Sequence, residues 1–397
     1  MSASVRSCQG PPLRVGIVAS EPMAPSQTFV RRQIEGLFGG QTAVLHQAPW
    51  SLSQPGYRFP NDLPSRALRR LQRLADTPLV ANLSGRITGR GLDAFIAENR
   101  VAFLIYEFGT YLQIYGPTLR RFSLPFAVYF CGYDASQYLR DSRYVASLRR
   151  RLPEAAFICA VSGSLMRNLE AQGITHPKSL ILPSGTDTSA FVPSQKRQQG
   201  WLLSIGRFVD KKKHDLSIHA FAQAARNHPE AQLHLVGDGP DMAACRALAN
   251  RLNVADRVHF HGALPHDKVR ALIEQASIYL QHSVRAPNGD EEGLPTSIQE
   301  AMSCGLPVIA TRHAGIPEII THEENGLLVE EHDLQEYAAQ IARLLNDPDM
   351  VLRLGRNARG YAVSHLDYRL MYAKIEDEVI RQVPQFAALK TRGQATS

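Results

Sequence analysis

Two carboxylates eight residues apart, Glu292 and Glu300, bracket the segment Gly293-Leu294-Pro295-Thr296. Pro295 suits the first turn of a helix, where its missing N–H costs nothing, and Gly305-Leu306-Pro307 supplies the stop before an apolar run, Val308 to Thr311. The spacing predicts Glu292 in the entry loop and Glu300 inside the helix, roughly 8 Å along its axis. Free amides between Gly293 and Thr296 then face outward toward any bound anion. One element offers donors for phosphate flanked by two acceptors for hydroxyls, an arrangement suited to a nucleotide sugar. Two glutamates alone read more simply as a solvated loop charge and an exposed helix residue, so the case rests on their surroundings.

A second cluster follows the apolar run Leu202 to Ile205: Gly206-Arg207-Phe208-Val209-Asp210-Lys211-Lys212-Lys213. It puts a guanidinium and an ammonium at the carboxyl end of a predicted strand, where a planar fork and a compact charge together can clamp a diphosphate. In a dry cleft such donors stabilise charge building on a leaving nucleotide. A solvated basic turn is the plainer alternative. Val236-Gly237-Asp238-Gly239-Pro240 permits a tight turn after another strand, and its glycines read more readily as turn-formers than as phosphate binders. The first predicted strand lacks a full G-x-G-x-x-G, which argues against a nicotinamide enzyme.

The elements that must position these groups alternate short apolar runs with helical patterns. Strands are predicted at Val15–Ala19, Phe103–Tyr106, Phe126–Phe130, Phe157–Val161 and Leu180–Leu182, with a helix over Ser26–Phe38. A polar linker at Ser194–Gly200 precedes a fresh series at Leu202–Ile205, Gln232–Val236, Val258–Phe260, Ile278–Leu280 and Val308–Ala310. This order predicts an α/β protein of two Rossmann-like parallel-sheet domains facing across a cleft, residues 1–197 and 198–365, with an amphipathic helix and tail over 366–397. Residues 51–66 and 384–397 are expected to be loose.

Composition bounds the function. The 397 residues are 44% hydrophobic and 20% charged, enough for two packed cores. No apolar run approaches a membrane span and no signal-peptide pattern opens the chain, so a cytoplasmic protein is expected. Five cysteines, Cys8, Cys131, Cys159, Cys245 and Cys304, lack any C-x-x-C pair, which argues against a zinc site or a disulfide framework. The net charge of +7 divides into +11 over residues 1–197 and −4 over the remainder. Arginines at 69, 70 and 73 and at 149, 150 and 151 suit peripheral contact with an anionic membrane or, equally, solvated helix faces. Neither run carries the interleaved aromatics of a nucleic-acid platform.

Taken together, Gly206-Arg207 with Lys212, Val236 to Pro240 and the E-x7-E element Glu292 to Glu300 resemble the family-4 retaining glycosyltransferases, of the two-domain GT-B fold. Asp290 to Met302, Gly305-Leu306-Pro307-Val308 and His313-Ala314-Gly315-Ile316-Pro317-Glu318 look especially like transferases building bacterial exopolysaccharide, including colanic-acid-type enzymes. The resemblance is strong over residues 200–330 and looser before. It implies transfer of a sugar, with retention, from a UDP- or GDP-type donor to a glycan, lipid-linked or small-molecule acceptor, with no metal and no cofactor, and a last helix that crosses back to the first domain. Arg207 and Lys212 would hold the diphosphate, Glu300 the ribose hydroxyls and Glu292 the donor sugar. Gly206, Gly293, Leu294, Pro295 and Thr296 would line the phosphate and sugar, and the base would lie near Leu264. Attack from the face the nucleotide leaves, with a phosphate oxygen taking the acceptor proton, makes a protein nucleophile unnecessary.

The acceptor side departs from the family pattern. Cys131 stands in Phe130-Cys131-Gly132-Tyr133-Asp134 where relatives carry histidine, and Met23-Ala24-Pro25-Ser26-Gln27-Thr28 replaces a glycine pair. Ser26, Thr28, Glu107, Cys131 and Asp134 are the acceptor-side candidates. Asp134 reads as an acceptor contact or a helix cap, Glu107 as an acceptor contact or an arginine partner, and Cys131 as a small buried residue or a cleft residue. Lys213 occupies a position where relatives often have glycine. A non-catalytic nucleotide-sugar sensor or scaffold, and a nucleotide-sugar epimerase on the same fold, are the alternative functions.

Overall fold

The computed structural model describes residues 11–19, 21–22, 27–47, 51–59 and 91–393. Apolar runs form two sheets. The first holds β1 (Arg14–Val18), β2 (Thr42–His46), β3 (Gly56–Arg58), β4 (Val101–Glu107), β5 (Phe126–Phe130), β6 (Phe157–Ala160) and β7 (Ser179–Ile181), in the order β3-β2-β1-β4-β5-β6-β7. The second holds β8 (Trp201–Ile205), β9 (Gln232–Val236), β10 (Val258–Phe260), β11 (Ile278–Gln281), β12 (Val308–Thr311) and β13 (Leu327–Val329), in the order β10-β9-β8-β11-β12-β13. The described pairings are parallel throughout. Inner strands such as β6, β11 and β12 are buried on both faces, so they read as unbroken apolar runs rather than as alternations.

Strand order reverses between β1 and β4 in one sheet and between β8 and β11 in the other. Loops diverge at such points and leave a crevice beyond the strand carboxyl ends. The two crevices face each other, which is where the residues singled out above must meet.

Three strands escape a reading of the sequence. β2 packs its Ala-Val-Leu centre between polar ends, with Thr42 donating its hydroxyl to the Ile34 carbonyl at 2.6 Å. β3 and β13 are three-residue edge strands whose pairing comes from their neighbours rather than from their own pattern. Part of the stretch expected to be loose is therefore ordered as β3. The described part of the tail is also ordered: Pro384–Phe386 makes a short turn and Ala387–Gly393 a helix, with Phe386 buried 4.8 Å from the Phe38 ring, while residues 394–397 lie outside the described residues.

One buried cluster runs from the first sheet through Tyr279, Ile298 and Val308 to Met371, Ile375 and Val379. A second fills the far face of the second sheet with Phe221, Leu235, Tyr337 and Leu354. The helix Tyr368–Gln382 therefore closes the core of the first sheet although it follows the second in sequence. Its crossing is fixed by backbone bonds between Thr186 and the Leu366–Tyr368 segment at 2.8 and 3.0 Å, and by the Glu376 carboxyl accepting from the Phe38 amide at 2.6 Å.

Among the described residues no helix is long and apolar enough to cross a membrane. The arginine run closing the helix Ser142–Arg151 is not a free basic face: Arg149 donates to the Gln172 carbonyl at 2.8 and 2.5 Å, and Arg151 is buried. Arg69, Arg70 and Arg73 lie outside the described residues.

Candidate functional site

A cleft of about 740 Å³ opens between the two crevices. From the second domain it is lined by Gly206, Arg207, Lys211, Lys212, Leu264, His266, Glu292 to Ser297 and Glu300, and from the first by Gln27, Thr28, Arg31 and Cys131. All the donor-side residues picked from the sequence share this one space. Of the acceptor-side candidates, Thr28 and Cys131 join them, and Ser26 lies outside the described residues.

The basic turn is built by close backbone approach. Gly206 N–H bonds to the Val236 carbonyl and Phe208 N–H to the Asp238 carbonyl, at 2.9 and 3.0 Å. Gly237, at φ 138°, is pressed so near this strand end that a Cβ would lie 1.9 Å from the Gly206 carbonyl oxygen. The glycine turn therefore buttresses the 206–208 loop and does not line the cleft, as a turn-forming reading predicts. Beneath it His214 is buried against Phe208, its Nε2 3.2 Å from the Gly206 carbonyl. Burial, then the nearby Lys212 charge, pulls this imidazole down to about 4, so it stays neutral and donates at Nε2.

The three lysines divide their work. Lys211 is buried and holds the entry loop, with Nζ 3.0 Å from the Asp290 carboxyl and 3.1 Å from the Glu291 carbonyl. Lys212 turns into the cleft and lies 3.1 Å from Glu292 Oε1. Lys213 takes the left-handed conformation at φ 43° as the cap of the helix His214–Ala224, which is why glycine suits this position. Arg207 is exposed in the cleft and has no side-chain partner among the described residues.

Burial works against the Glu292 charge, but the Lys212 and Lys211 ammoniums bring its carboxyl down to about 2, and it is ionised at neutral pH. Oε1 is paired by charge with Lys212 and, among the described residues, has no partner that meets hydrogen-bond geometry. The helix Thr296–Ser303 starts one residue later than the sequence predicts, with Pro295 at the cap position and no capping side chain, which leaves its first amides directed at the cleft. On its inner face Glu300 is 4% exposed, with Oε1 3.1 Å from His266 Nε2.

Neither Glu107 nor Asp134 reaches the cleft, which corrects their reading as acceptor contacts. Asp134 is fully buried and gathers backbone amides: Oδ1 accepts from Cys131 and Gly132, Oδ2 from Gly109 at 2.9 Å. Burial raises its carboxyl to about 6 against the pull of those amides. It thus caps the helix Gly109–Leu119, an element before it in sequence, not one after it. Glu107 is likewise fully buried; burial and then the Asp134 charge push it upward, the Gln33 side chain pulls the other way, and among the described residues no arginine pairs with it. Cys131 does line the cleft, but burial and the neighbouring carboxyls raise its thiol well above the usual range, so it is a neutral, weakly polar wall.

The domains meet along one side of the cleft. A Cβ on Gly293 would stand 2.2 Å from the Cys131 carbonyl oxygen, so only glycine allows this approach. Glu318 of the second domain accepts from the Gly163 and Ser164 amides at 2.7 and 2.8 Å, capping a helix of the first. Asn168 donates to Glu291 at 2.9 Å, and Arg140 to the Pro287 carbonyl at 3.0 Å. Sequence reasoning missed Lys211, His266 and Glu318 as site-building residues. His266, two residues beyond Leu264 at a helix start, was the most findable.

Known proteins resemble this chain in sequence and in fold. Residues 187–361 match the family described as Glycosyl transferases group 1. A putative colanic acid biosynthesis glycosyltransferase, WcaL, of Salmonella typhimurium is 28% identical over 54% of this chain and 54% of its own length. A GDP-mannose-dependent alpha-(1-6)-phosphatidylinositol monomannoside mannosyltransferase of Mycobacterium tuberculosis is 29% identical over 58% of this chain and 63% of its own. The match thus spans between half and two thirds of these relatives. Anabaena HepE in complex with UDP-glucose superimposes with a TM-score of 0.74 at 17% identity, over 92% of this chain and 99% of that one. Residues 187–361 thus match the glycosyl transferases group 1 family, within a chain of GT-B fold whose sequence is similar to a transferase named for colanic acid biosynthesis.

Proposed function

We propose that the protein transfers a sugar from a UDP- or GDP-type donor to an acceptor hydroxyl, with retention of configuration and without a metal, in the assembly of an exopolysaccharide or related glycan. The observation that carries this reading is the cleft itself: Lys212, free helix amides and an exposed Arg207 without a side-chain partner among the described residues lie between two buried carboxylates, Glu292 and Glu300. Arg207, Lys212 and the amides hold the diphosphate and neutralise the charge that grows as the glycosyl bond breaks. Glu300, oriented by His266, accepts from the ribose hydroxyls. Ionised Glu292 accepts from the donor sugar. With Glu107 and Asp134 buried, the acceptor enters beside Thr28 and Cys131 and passes its proton to the departing phosphate oxygen. The charge of +11 over residues 1–197 supports peripheral attachment of this half to an anionic membrane.

Calorimetric titration with UDP, GDP and their glucose and mannose conjugates, with and without magnesium, tests the reading. Binding of one base series, indifferent to magnesium and followed by acceptor-dependent nucleotide release, is expected. Binding without turnover on any acceptor favours a sensor; an isomerised donor favours an epimerase.

A further inference from the structure

We propose that Glu331 and His313 form a positioning pair that sets the place of Glu292 in the donor site; the inference rests on the reading of Glu292 as the donor-sugar residue. His313 follows β12, is 2% exposed and points under the entry loop. Its Nδ1 lies 2.6 Å from Glu331 Oε1, and its Nε2 accepts from the Glu292 amide at 3.1 Å. The carboxylate can only accept, so Nδ1 carries the proton and Nε2 presents its lone pair to the amide. The second Glu331 oxygen accepts from the Arg285 amide at 3.1 Å. One carboxylate thus pins the loop at both ends, directly at Arg285 and through the imidazole at Glu292.

Backbone contact enforces the same placement. The turn after His313 drives Gly315 against the loop so closely that a Cβ there would lie 2.4 Å from the Gly293 carbonyl oxygen. With its amide held from below, Glu292 has its side chain directed toward Lys212 and the cleft. Neither His313 nor Glu331 lines that cleft, so the pair acts through Glu292 and not on a ligand.

Two amide substitutions separate the halves of the relay. His313→Gln places an acceptor near the Nε2 position; His313→Asn keeps a donor toward Glu331 and lacks the acceptor. In the full chain, amide hydrogen exchange over residues 285–295 is expected to speed up in H313N and E331Q and to return toward the wild-type rate in H313Q. Calorimetry with UDP, GDP, UDP-glucose and GDP-mannose is expected to show the bare diphosphate bound alike by all variants. The matching sugar conjugate is expected to bind about tenfold more weakly to H313N, and its slow nucleotide release to fall on the order of 100-fold. Unchanged exchange in H313N, an order reversed between H313N and H313Q, or equal losses for diphosphate and conjugate would overturn the pairing. E292A serves as the control: conjugate binding unchanged in E292A sinks the donor-sugar reading, whereas binding impaired in E292A but intact in H313N sinks the pairing alone.

Discussion

Lys212 and Glu292 form an ion pair on the wall of the cleft, 3.1 Å from Nζ to Oε1, with the two side chains 12% and 9% exposed. Burial lowers the lysine, the pair restores its charge, and the same contact holds the glutamate ionised. Lys212→Met should therefore act twice. Urea unfolding is expected to show a loss of about 3 kcal/mol, because Glu292 is left charged and buried without its direct partner, only the more distant Lys211 charge remaining. Nucleoside diphosphate affinity should fall about 30-fold with loss of a charge-assisted contact. Loss of stability alone would leave Arg207 as the phosphate residue.

Glu300→Gln tests the ribose assignment. It keeps the shape of a side chain that is 4% exposed and weakens its acceptors, so nucleoside diphosphate binding should fall about tenfold. His266→Ala, which removes only the group orienting Glu300, should cost about threefold. Calorimetry showing no change in E300Q removes this residue from the site.

Lys213→Gly should stabilise the protein. A β-carbon in the left-handed region at φ 43° carries strain that glycine lacks, partly offset by the greater freedom of glycine in the unfolded chain. The urea midpoint is expected to rise, at unchanged slope, by the equivalent of about 0.5–1 kcal/mol. A fall would mean that the Lys213 side chain makes a contact worth more than the strain.

Neutral His214 makes stability depend on acid. Its folded value of about 4 lies below the ordinary 6.5, so the unfolded chain takes up a proton first as pH falls. Stability from this group is whole above pH 6.5 and is lost progressively down to about pH 4, reaching roughly 3 kcal/mol. His214→Gln should flatten that part of the profile. Denaturant titrations of both proteins at pH 7 and pH 4.5 check it; parallel profiles would place the acid sensitivity elsewhere, with the histidine at 234 the next group to examine.

Glu318→Gln should loosen the domain contact. The carboxylate accepts from two amides at the start of the helix Gly163–Ala171, and the amide side chain can serve only one well. A loss of about 1 kcal/mol and a larger radius of gyration by small-angle scattering are expected. An unchanged radius would show that the Gly293–Cys131 contact and the closing helix suffice.

The sequence by itself determined most of the architecture and the donor side. Doubly buried parallel strands are continuous apolar runs, and the groups that line the cleft sit directly after such runs: Gly206-Arg207 after β8, and Glu292 to Glu300 between β11 and β12. Local spacing is enough there because one loop and one helix carry most of that side of the cleft. Edge strands such as β3 and β13 were not legible, since three residues show no period and depend on a neighbour for their bonds. Only the tertiary structure decided the acceptor side. Glu107 ends β4 and Asp134 follows β5, positions that look open in sequence, yet both are buried, and Asp134 holds the backbone amides of Cys131 and Gly132. Only the fold, too, could bring Glu331 under His313 and His313 under Glu292, or Glu318 against Gly163. Such contacts join residues distant in sequence, and their strength comes from burial and distance, neither of which a linear pattern contains.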